Sequence, residues 1–456
     1  MERKAQFTKG GIEHATINGH RFHLRRNDPM RQNLLWVDGQ SPPLILDPVA
    51  TDFVSLIIDG MWEFQQGEGD ESEQVRQYVV DAMFEKYGRM RLRTLPLAFR
   101  KRPTAERIRA DLDRIFGTLM GIADGACPVE QNLQMKRLDQ TKWIAPARID
   151  LAITYDCNLD CRKCYLGCDR KGMKELSADE YVRVFEILWK IGVPQVVFTG
   201  GEPTCRKDLV RLVTEAQEFV TGLVTNGTML AELAEPLRDA SLDYVQVTLE
   251  SHDAAVHNRM VGAAFDAHKK TIDGIRRALE LKMQVVTNTT LTRDNAADFP
   301  RLLRFGKELG LKDMACNDLI CSGRGTAEKK ENGLSVDEIK KLLVESVTLA
   351  QELGVNLQWY TPTCYRQLNP VELGLGAKAC SAAAHNMTIQ PDGSVLPCQS
   401  WPEAVRNILE VPWGKIWNHP VCKKLRVHGY SKEKEECEKC EHVGVCGGGC
   451  PLEKKE

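Results

Sequence analysis

The sequence predicts an α/β protein: a partial, TIM-like (β/α)6 barrel, with a small α+β domain before it and an irregular, metal-organised domain after it. Three observations carry this. Between residues 141 and 360, short β-branched runs alternate with amphipathic helical stretches about six times over. Residues 1–140 lack that alternation. From about residue 361 the chain becomes rich in Pro, Gly and Cys, the composition of a region folded around metal. At 456 residues the chain exceeds one ordinary domain, so the three stretches read as three domains, 1–140, 141–360 and 361–456.

Taking the elements in order, Asn33 to Val37 and Leu44 to Leu46 read as short strands about a turn at Asp38-Gly39. The polar stretch Gly67 to Ser72 reads as a loop. Val75, Tyr78, Val79, Ala82 and Met83 recur at helical spacing, as do Ile108, Leu112, Ile115, Phe116 and Leu119. The barrel opens with a strand from Arg148 to Tyr155. Ser177-Ala178-Asp179-Glu180 then forms a capping box before a helix with Val182, Phe185 and Trp189 on one face. Further strands are expected at Gln195 to Thr199, Gly222 to Thr225, Tyr244 to Leu249, Gln284 to Leu291 and Asp313 to Ile320. A helix runs through Leu209 and Leu212, and a second capping box, Ser335-Val336-Asp337-Glu338, opens the helix after the sixth strand. Strands alternating with helices imply a parallel sheet buried on both faces, with reactive groups at the C-terminal strand ends. A closed barrel needs eight units, so a partial one is expected.

The composition, 43% hydrophobic and 27% charged with a net charge of −2, is that of a soluble globular protein and gives no reason to expect nucleic acid or a membrane as partner. No apolar run approaches the roughly 18–20 residues that span a bilayer. The start, Met1-Glu2-Arg3-Lys4-Ala5-Gln6, lacks the apolar stretch of a secretory signal, so the cytoplasm is expected. In that reducing compartment 16 cysteines, clustered after residue 156 and again near the end, point to zinc or iron–sulfur and not to a disulfide framework.

Cys157-Asn158-Leu159-Asp160-Cys161-Arg162-Lys163-Cys164 follows the first barrel strand directly. Three thiolates on one loop can hold three irons of a 4Fe–4S cube and leave the fourth iron open to another ligand; zinc, the competing metal, normally takes four protein ligands. The segment, with Tyr165 after it, resembles the signature of the radical S-adenosylmethionine superfamily. The resemblance implies that the cofactor's amino and carboxylate groups chelate the open iron. Further segments resemble the family's cofactor contacts: Gly200-Gly201-Glu202-Pro203 after the second strand, Thr225-Asn226-Gly227 after the third, Thr248 and Glu250 ending the fourth, and Arg324 in Gly323-Arg324-Gly325 after the sixth. Glu250 departs from the shorter Ser-x-Asp pattern of relatives, which puts its ribose contact in doubt. Gly-Gly-Glu-Pro as a plain turn, and Arg324 as an exposed loop arginine, are the alternatives at those positions.

Toward the C-terminus, twelve residues separate Cys380 from Gly393 and four separate Gly393 from Cys398. Cys437, Cys440, Cys446 and Cys450 follow with two, five and three residues between them. This resembles the SPASM extension, an auxiliary iron–sulfur domain; a zinc ribbon on the Cys437/Cys440 pair is the alternative. By that resemblance Cys380, Cys398 and Cys450, with Cys364 as a possible fourth, hold one auxiliary 4Fe–4S cluster, and Cys437, Cys440 and Cys446 hold a second. The family pattern ends with another cysteine, whereas this sequence stops at Glu456. The second site is then open, is completed by Cys422 or a carboxylate, or has its last ligand beyond the given sequence. Cys127 and Cys316 read as structural, and Cys168, Cys205 and Cys321 as thiols near the barrel mouth.

Leu44 to Phe53, running on to Asp59-Gly60, resembles the precursor-recognition module of peptide maturases, a winged-helix-like domain that grips a leader peptide by strand addition. An ordinary winged-helix scaffold is the alternative for this domain; the basic run Arg100-Lys101-Arg102 would suit an acidic leader, with a solvated basic loop as its commoner explanation. Together the resemblances imply a radical enzyme that cleaves S-adenosylmethionine to a 5′-deoxyadenosyl radical and abstracts hydrogen from a peptide or protein, forming a thioether or carbon–carbon crosslink. An electron donor such as ferredoxin or flavodoxin would serve it. A sulfatase-maturing or tetrapyrrole-modifying radical enzyme is the nearer alternative. A non-catalytic electron carrier or scaffold is the further one.

Overall fold

The structure is a computed structural model that describes residues 12–18, 20–25, 33–37, 44–64, 71–88, 103–124, 143–166, 172–428, 437 and 439–453. Of the loop expected over Gly67 to Ser72, Glu71 and Ser72 instead begin a helix, while residues 67–70, the Asp38-Gly39 turn, Arg100-Lys101-Arg102, Cys127 and Cys168 lie outside the described residues. Two compact units are present, residues 1–143 with 218–220, and residues 144–217 with 221–456.

The first unit is a four-stranded antiparallel meander, β1 (Ile12–Ile17), β2 (His20–Arg25), β3 (Asn33–Val37) and β4 (Leu44–Leu46), in that order. Three helices accompany it: α1 (Pro48–Phe64), α2 (Glu71–Gly88) and α3 (Ala105–Ala123). Asp47 begins α1 by accepting the Val49 and Ala50 N–H groups, each at 2.8 Å. Phe22, Leu24 and Leu35 from the sheet meet Phe53, Ile58, Met83 and Ile108 from the helices in one core. The two strands and two helices expected here are present. β1, β2 and α1 are additions. β2, HRFHLR, carries four His and Arg residues among its six, and β1 is only six residues long, so their alternation is faint in the sequence.

The second unit is organised by one ten-stranded sheet. Seven strands run parallel in chain order: β5 (Arg148–Thr154), β6 (Gln195–Gly200), β7 (Val220–Thr225), β8 (Tyr244–Thr248), β9 (Gln284–Thr290), β10 (Asp313–Asn317) and β11 (Asn356–Trp359). β6 is buried throughout and β5 beyond its first residue, as strands covered on both faces must be. Helices fill the connections. α4 (Ala178–Ile191) carries both halves of its capping box and ends at Gly192 with φ +82°. The helix Val336–Leu353 repeats the design with Ser335, Glu338 and Gly354.

The sequence leads to six strands; the seventh, β11, is four residues long and starts just past Gly354, too short to register as a separate unit. The sheet is open. β11 ends it on one side, while on the other β5 pairs in parallel with β12 (Asn386–Ile389), which continues into β13 (Ser394–Leu396) and β14 (Arg406–Asn407). Asp150 of β5, 1% exposed, receives Arg148 Nε at 2.6 Å and Asn386 Nδ2 at 3.3 Å, fixing that join. The C-terminal region is thus less irregular than expected, because a hairpin turning at Asp392-Gly393 carries on the barrel's own sheet. Among the described residues no helix is long and apolar enough to cross a membrane.

Candidate active site at the carboxyl ends of the strands

The loop after β5 carries Cys157, Cys161 and Cys164, and its backbone is pinned from several sides. Leu159 packs with Val261 and Ala267, and Asp160 N–H donates to Val261 O at 3.1 Å. Gly262, at φ +62°, lies against Asp160 so closely that a Cβ there would come 2.3 Å from its carbonyl oxygen. Asn158 donates to Thr228 Oγ1 at 2.9 Å and accepts from Asn226 Nδ2 at 2.8 Å. Arg324 N–H donates to Cys164 O at 2.9 Å, and its Nη1 donates to Asp160 Oδ1 at 2.5 Å.

The three thiols remain partly exposed and bear on one another electrostatically. Burial, first, and the neighbouring acids push Cys157 up to about 11 and Cys161 up to about 12. Bare, they are neutral thiols; metal coordination is what would deprotonate them. Cys205, on the turn Pro203–Cys205, accepts the Asn158 N–H and influences Cys157, so a fourth thiol flanks the loop. Among the described residues no three His, Cys, Asp or Glu side chains converge as the ligands of a single ion do. A cube of four irons binds one thiolate at each corner, and its ligands stand farther apart than that.

The segment after β6 abuts this loop. Gly200 has φ +136°, and a Cβ on it would sit 2.0 Å from Thr154 O; a Cβ on Gly201 would sit 2.4 Å from Asp156 O. The Gly-Gly pair is therefore required by backbone-to-backbone packing, with Gly201 and Glu202 N–H groups donating to Thr154 O and Asp156 O, each at 2.8 Å. Glu202, 1% exposed, accepts from Thr204 N (3.1 Å), Thr204 Oγ1 (2.5 Å), Thr225 Oγ1 (2.6 Å) and Asn226 N (2.7 Å). Three of those bonds fall on Oε1 and one, from Asn226 N, on Oε2, so both oxygens are engaged and Oε2 keeps an acceptor site to spare. Desolvation raises its pKa even so. Glu202 ties the end of β6 to the end of β7, a role the motif alone does not display.

Thr248 ends β8 half-exposed, and Glu250 beyond it is fully buried. Its Oε1 pairs with Lys163, and its Oε2 accepts Thr290 N–H at 3.0 Å. Both oxygens are thus engaged by protein. Lys163 was not singled out by the sequence reading. Its one signal was position, a cation between two motif cysteines. Among the described residues Arg324 Nε is a buried donor without a hydrogen-bond partner, while the rest of the guanidinium bears on Asp160 and Cys164. The donor set, the glycine cradle and this unpaired guanidinium nitrogen fit a cluster with a bound amino acid group.

The C-terminal cysteines fall into groups. Cys380, Cys398 and Cys450 influence one another, with Cys398 and Cys450 both pushed up to about 12, chiefly by burial. Gly449, at φ +86°, brings the chain beside Cys364; a Cβ there would lie 3.3 Å from Cys364 N. Cys446 accepts N–H groups from Tyr365 (3.4 Å) and Gly448 (3.3 Å). Cys437 is buried, and its carbonyl accepts the Cys440 N–H at 3.2 Å. Cys422 is sealed inside the helix Pro420–His428, where Arg426 is the charged group that bears on it among the described residues. Cys316 is in the core, 0% exposed, and Cys321 lies near Lys329, Asp318 and Glu453.

Residues 151–306 match the radical SAM superfamily, and residues 380–441 match an iron–sulfur cluster-binding domain, SPASM. The chain is 30% identical over 337 residues to the PqqA peptide cyclase of Bradyrhizobium diazoefficiens, covering 70% of this chain and 84% of the relative. It belongs to the radical S-adenosylmethionine superfamily. This radical enzyme is also 28% identical to the AdoMet-dependent heme synthase of Methanosarcina barkeri, over 67% of this chain and 91% of that one. In fold it is similar to SuiB of Streptococcus suis bound to precursor peptide SuiA, with TM-score 0.60, 16% identity and 96% of both chains covered. It is similar too to anSMEcpe with bound AdoMet, with TM-score 0.54, 17% identity, and 67% and 89% covered. Membership in this superfamily and the SPASM match make the chain an enzyme of 4Fe–4S clusters and S-adenosylmethionine. Bound together, the first cluster and S-adenosylmethionine supply a 5′-deoxyadenosyl radical by one-electron cleavage of the cofactor.

Proposed function

We propose that this radical S-adenosylmethionine enzyme matures a ribosomally made peptide by installing a thioether or carbon–carbon crosslink. The observation that carries the reading is the similarity to a PqqA peptide cyclase across 84% of that relative. The likeness of fold to SuiB, which extends over the N-terminal region as well, agrees with it.

In this reading Cys157, Cys161 and Cys164 hold the first cluster. Arg324 offers its free Nε to the cofactor carboxylate. Gly200, Gly201 and Pro203 let the backbone come close, while Thr225, Asn226 and Glu202 keep the loops after β6 and β7 in register. Thr248 and Glu250 border the ribose side. Cys380, Cys398 and Cys450, with Cys364, hold one auxiliary cluster, and Cys437, Cys440 and Cys446 hold another. Among the described residues the N-terminal meander has an edge strand at each side, the kind of surface to which an extended leader peptide adds. An electron donor of the ferredoxin or flavodoxin kind, in a cytoplasm where all 14 described cysteines are free, completes the system.

The test is anaerobic reconstitution with iron and sulfide, reduction by dithionite, and assay of 5′-deoxyadenosine and peptide mass. Short peptides encoded beside the gene serve as substrates. Wild type should release 5′-deoxyadenosine and leave a peptide lighter by a pair of hydrogens; the Cys157→Ala/Cys161→Ala/Cys164→Ala variant should do neither, yet retain auxiliary iron. Equal turnover after removal of residues 1–143 would count against leader recognition. The similarity to a heme synthase motivates a second reading, and turnover of a tetrapyrrole in place of every peptide would establish it.

A further inference from the structure

Lys163 lies between two cysteines of the cluster loop, and its ammonium reaches across the barrel mouth to a buried acid. Nζ pairs with Glu250 Oε1 and bonds Thr290 Oγ1 at 2.7 Å. The lysine side chain is 13% exposed and the glutamate 0%. Glu250 is itself held on every side. Thr290 N–H donates to its second oxygen, Asn295 Nδ2 donates to its carbonyl at 2.9 Å, and its own N–H donates to His257 Nδ1 at 3.2 Å.

Burying both ions carries a desolvation penalty that a pair of apolar side chains would avoid while filling the same space. The pair therefore calls for a reason in its charges. Lys163 stands on the cluster loop two residues after Cys161 and next to Cys164, and its Nζ is paired with Glu250, so two charges of opposite sign sit beside that loop. Reduction adds an electron to a cluster, so a cation beside it stabilises the reduced form and raises the potential, and an anion lowers it.

We propose that Lys163 and Glu250 form a charge-compensated pair in which each residue offsets the other's effect on the reduction potential of the cluster held by Cys157, Cys161 and Cys164. The proposal rests on the reading that those three cysteines ligate a cluster. Neither residue exchanges a proton with substrate in this account. Together their opposite charges largely cancel at the cluster; separately each would move its potential.

The experiment is a dithionite titration of the reconstituted full-length enzyme followed by electron paramagnetic resonance, tracking the signal that changes when S-adenosylmethionine is added. Lys163→Met should make that signal's midpoint more negative, and Glu250→Gln should make it more positive. The Lys163→Met/Glu250→Gln double variant and Lys163→Arg should both stay near wild type. Auxiliary signals should not move in any of them. Iron loss in either single variant, with iron retained in the double, would equally support charge balance, since the double keeps the cavity without the charges. Single variants that shift in the same direction, single variants that load iron but do not shift, or a double variant that cannot load would overturn the proposal. A wild-type protein with no signal sensitive to S-adenosylmethionine would instead overturn the cluster assignment beneath it.

Discussion

At the scale of single residues, polar side chains near the site act mainly on one another. Glu202 and Glu250 occupy positions from which a family motif would aim an acid at the cofactor, and each already has both carboxylate oxygens engaged by protein donors. The motif letters were legible; apart from Thr204, two residues from Glu202, their side-chain partners lie 23 to 87 residues away and were not, because only tertiary packing brings them together. His257 extends this network and has a measurable consequence. Burial lowers its pKa from 6.5 to about 3, with the His268 and Lys163 charges adding to the effect. Between those values the unfolded chain holds the extra proton, so this contribution to stability is complete above about pH 6.5 and is lost as pH falls toward 3. Its slope is at most roughly 1.4 kcal/mol per pH unit. His257→Asn, which keeps an acceptor for Glu250 N–H, should flatten the fall of Tm between pH 6.5 and 4 even if packing losses lower Tm at pH 8. An unchanged acid slope would show that another group governs it.

At the scale of elements, helix boundaries were the most readable feature because their signals are local. Ser177 accepts Glu180 N–H at 3.3 Å, while the Glu180 side chain accepts Ser177 N–H at 2.8 Å. The same reciprocal pair at Ser335 and Glu338 was equally visible in the sequence. Ser177→Ala should cost about 1 kcal/mol, read by calorimetry as a fall of roughly 2–3 °C in the Tm of the barrel unit. No change would mean that α4 is held by its buried face alone. Strands whose partners are remote were harder to read. β11 and β12 are four residues each, and nothing in so short a run tells whether it joins a sheet.

At the scale of the whole molecule, the second unit does not divide where the composition changes. The cysteine-rich region begins as an outlier in the sequence, but β12 to β14 extend the barrel sheet past β5. Arg148 to Leu151 would lose all their ladder partners on that side if the chain ended near residue 360. Residues 144–360 alone should therefore expose a long hydrophobic edge and elute from size-exclusion chromatography as aggregate, whereas residues 144–456 should be monodisperse and melt in one transition. A stable, monodisperse 144–360 fragment would show that the pairing is dispensable.

The join between β5 and β12 also constrains how a newly made chain reaches this fold. Arg148 pairs with Asn386, so about 240 residues must be synthesised between the two partners, which at 5–20 residues per second takes roughly 12 to 50 s. Throughout that interval the strand leading into the first cysteine loop has an open flank on the ribosome. A slower ribosome lengthens that exposure, so the nascent edge is shielded least where synthesis is slow.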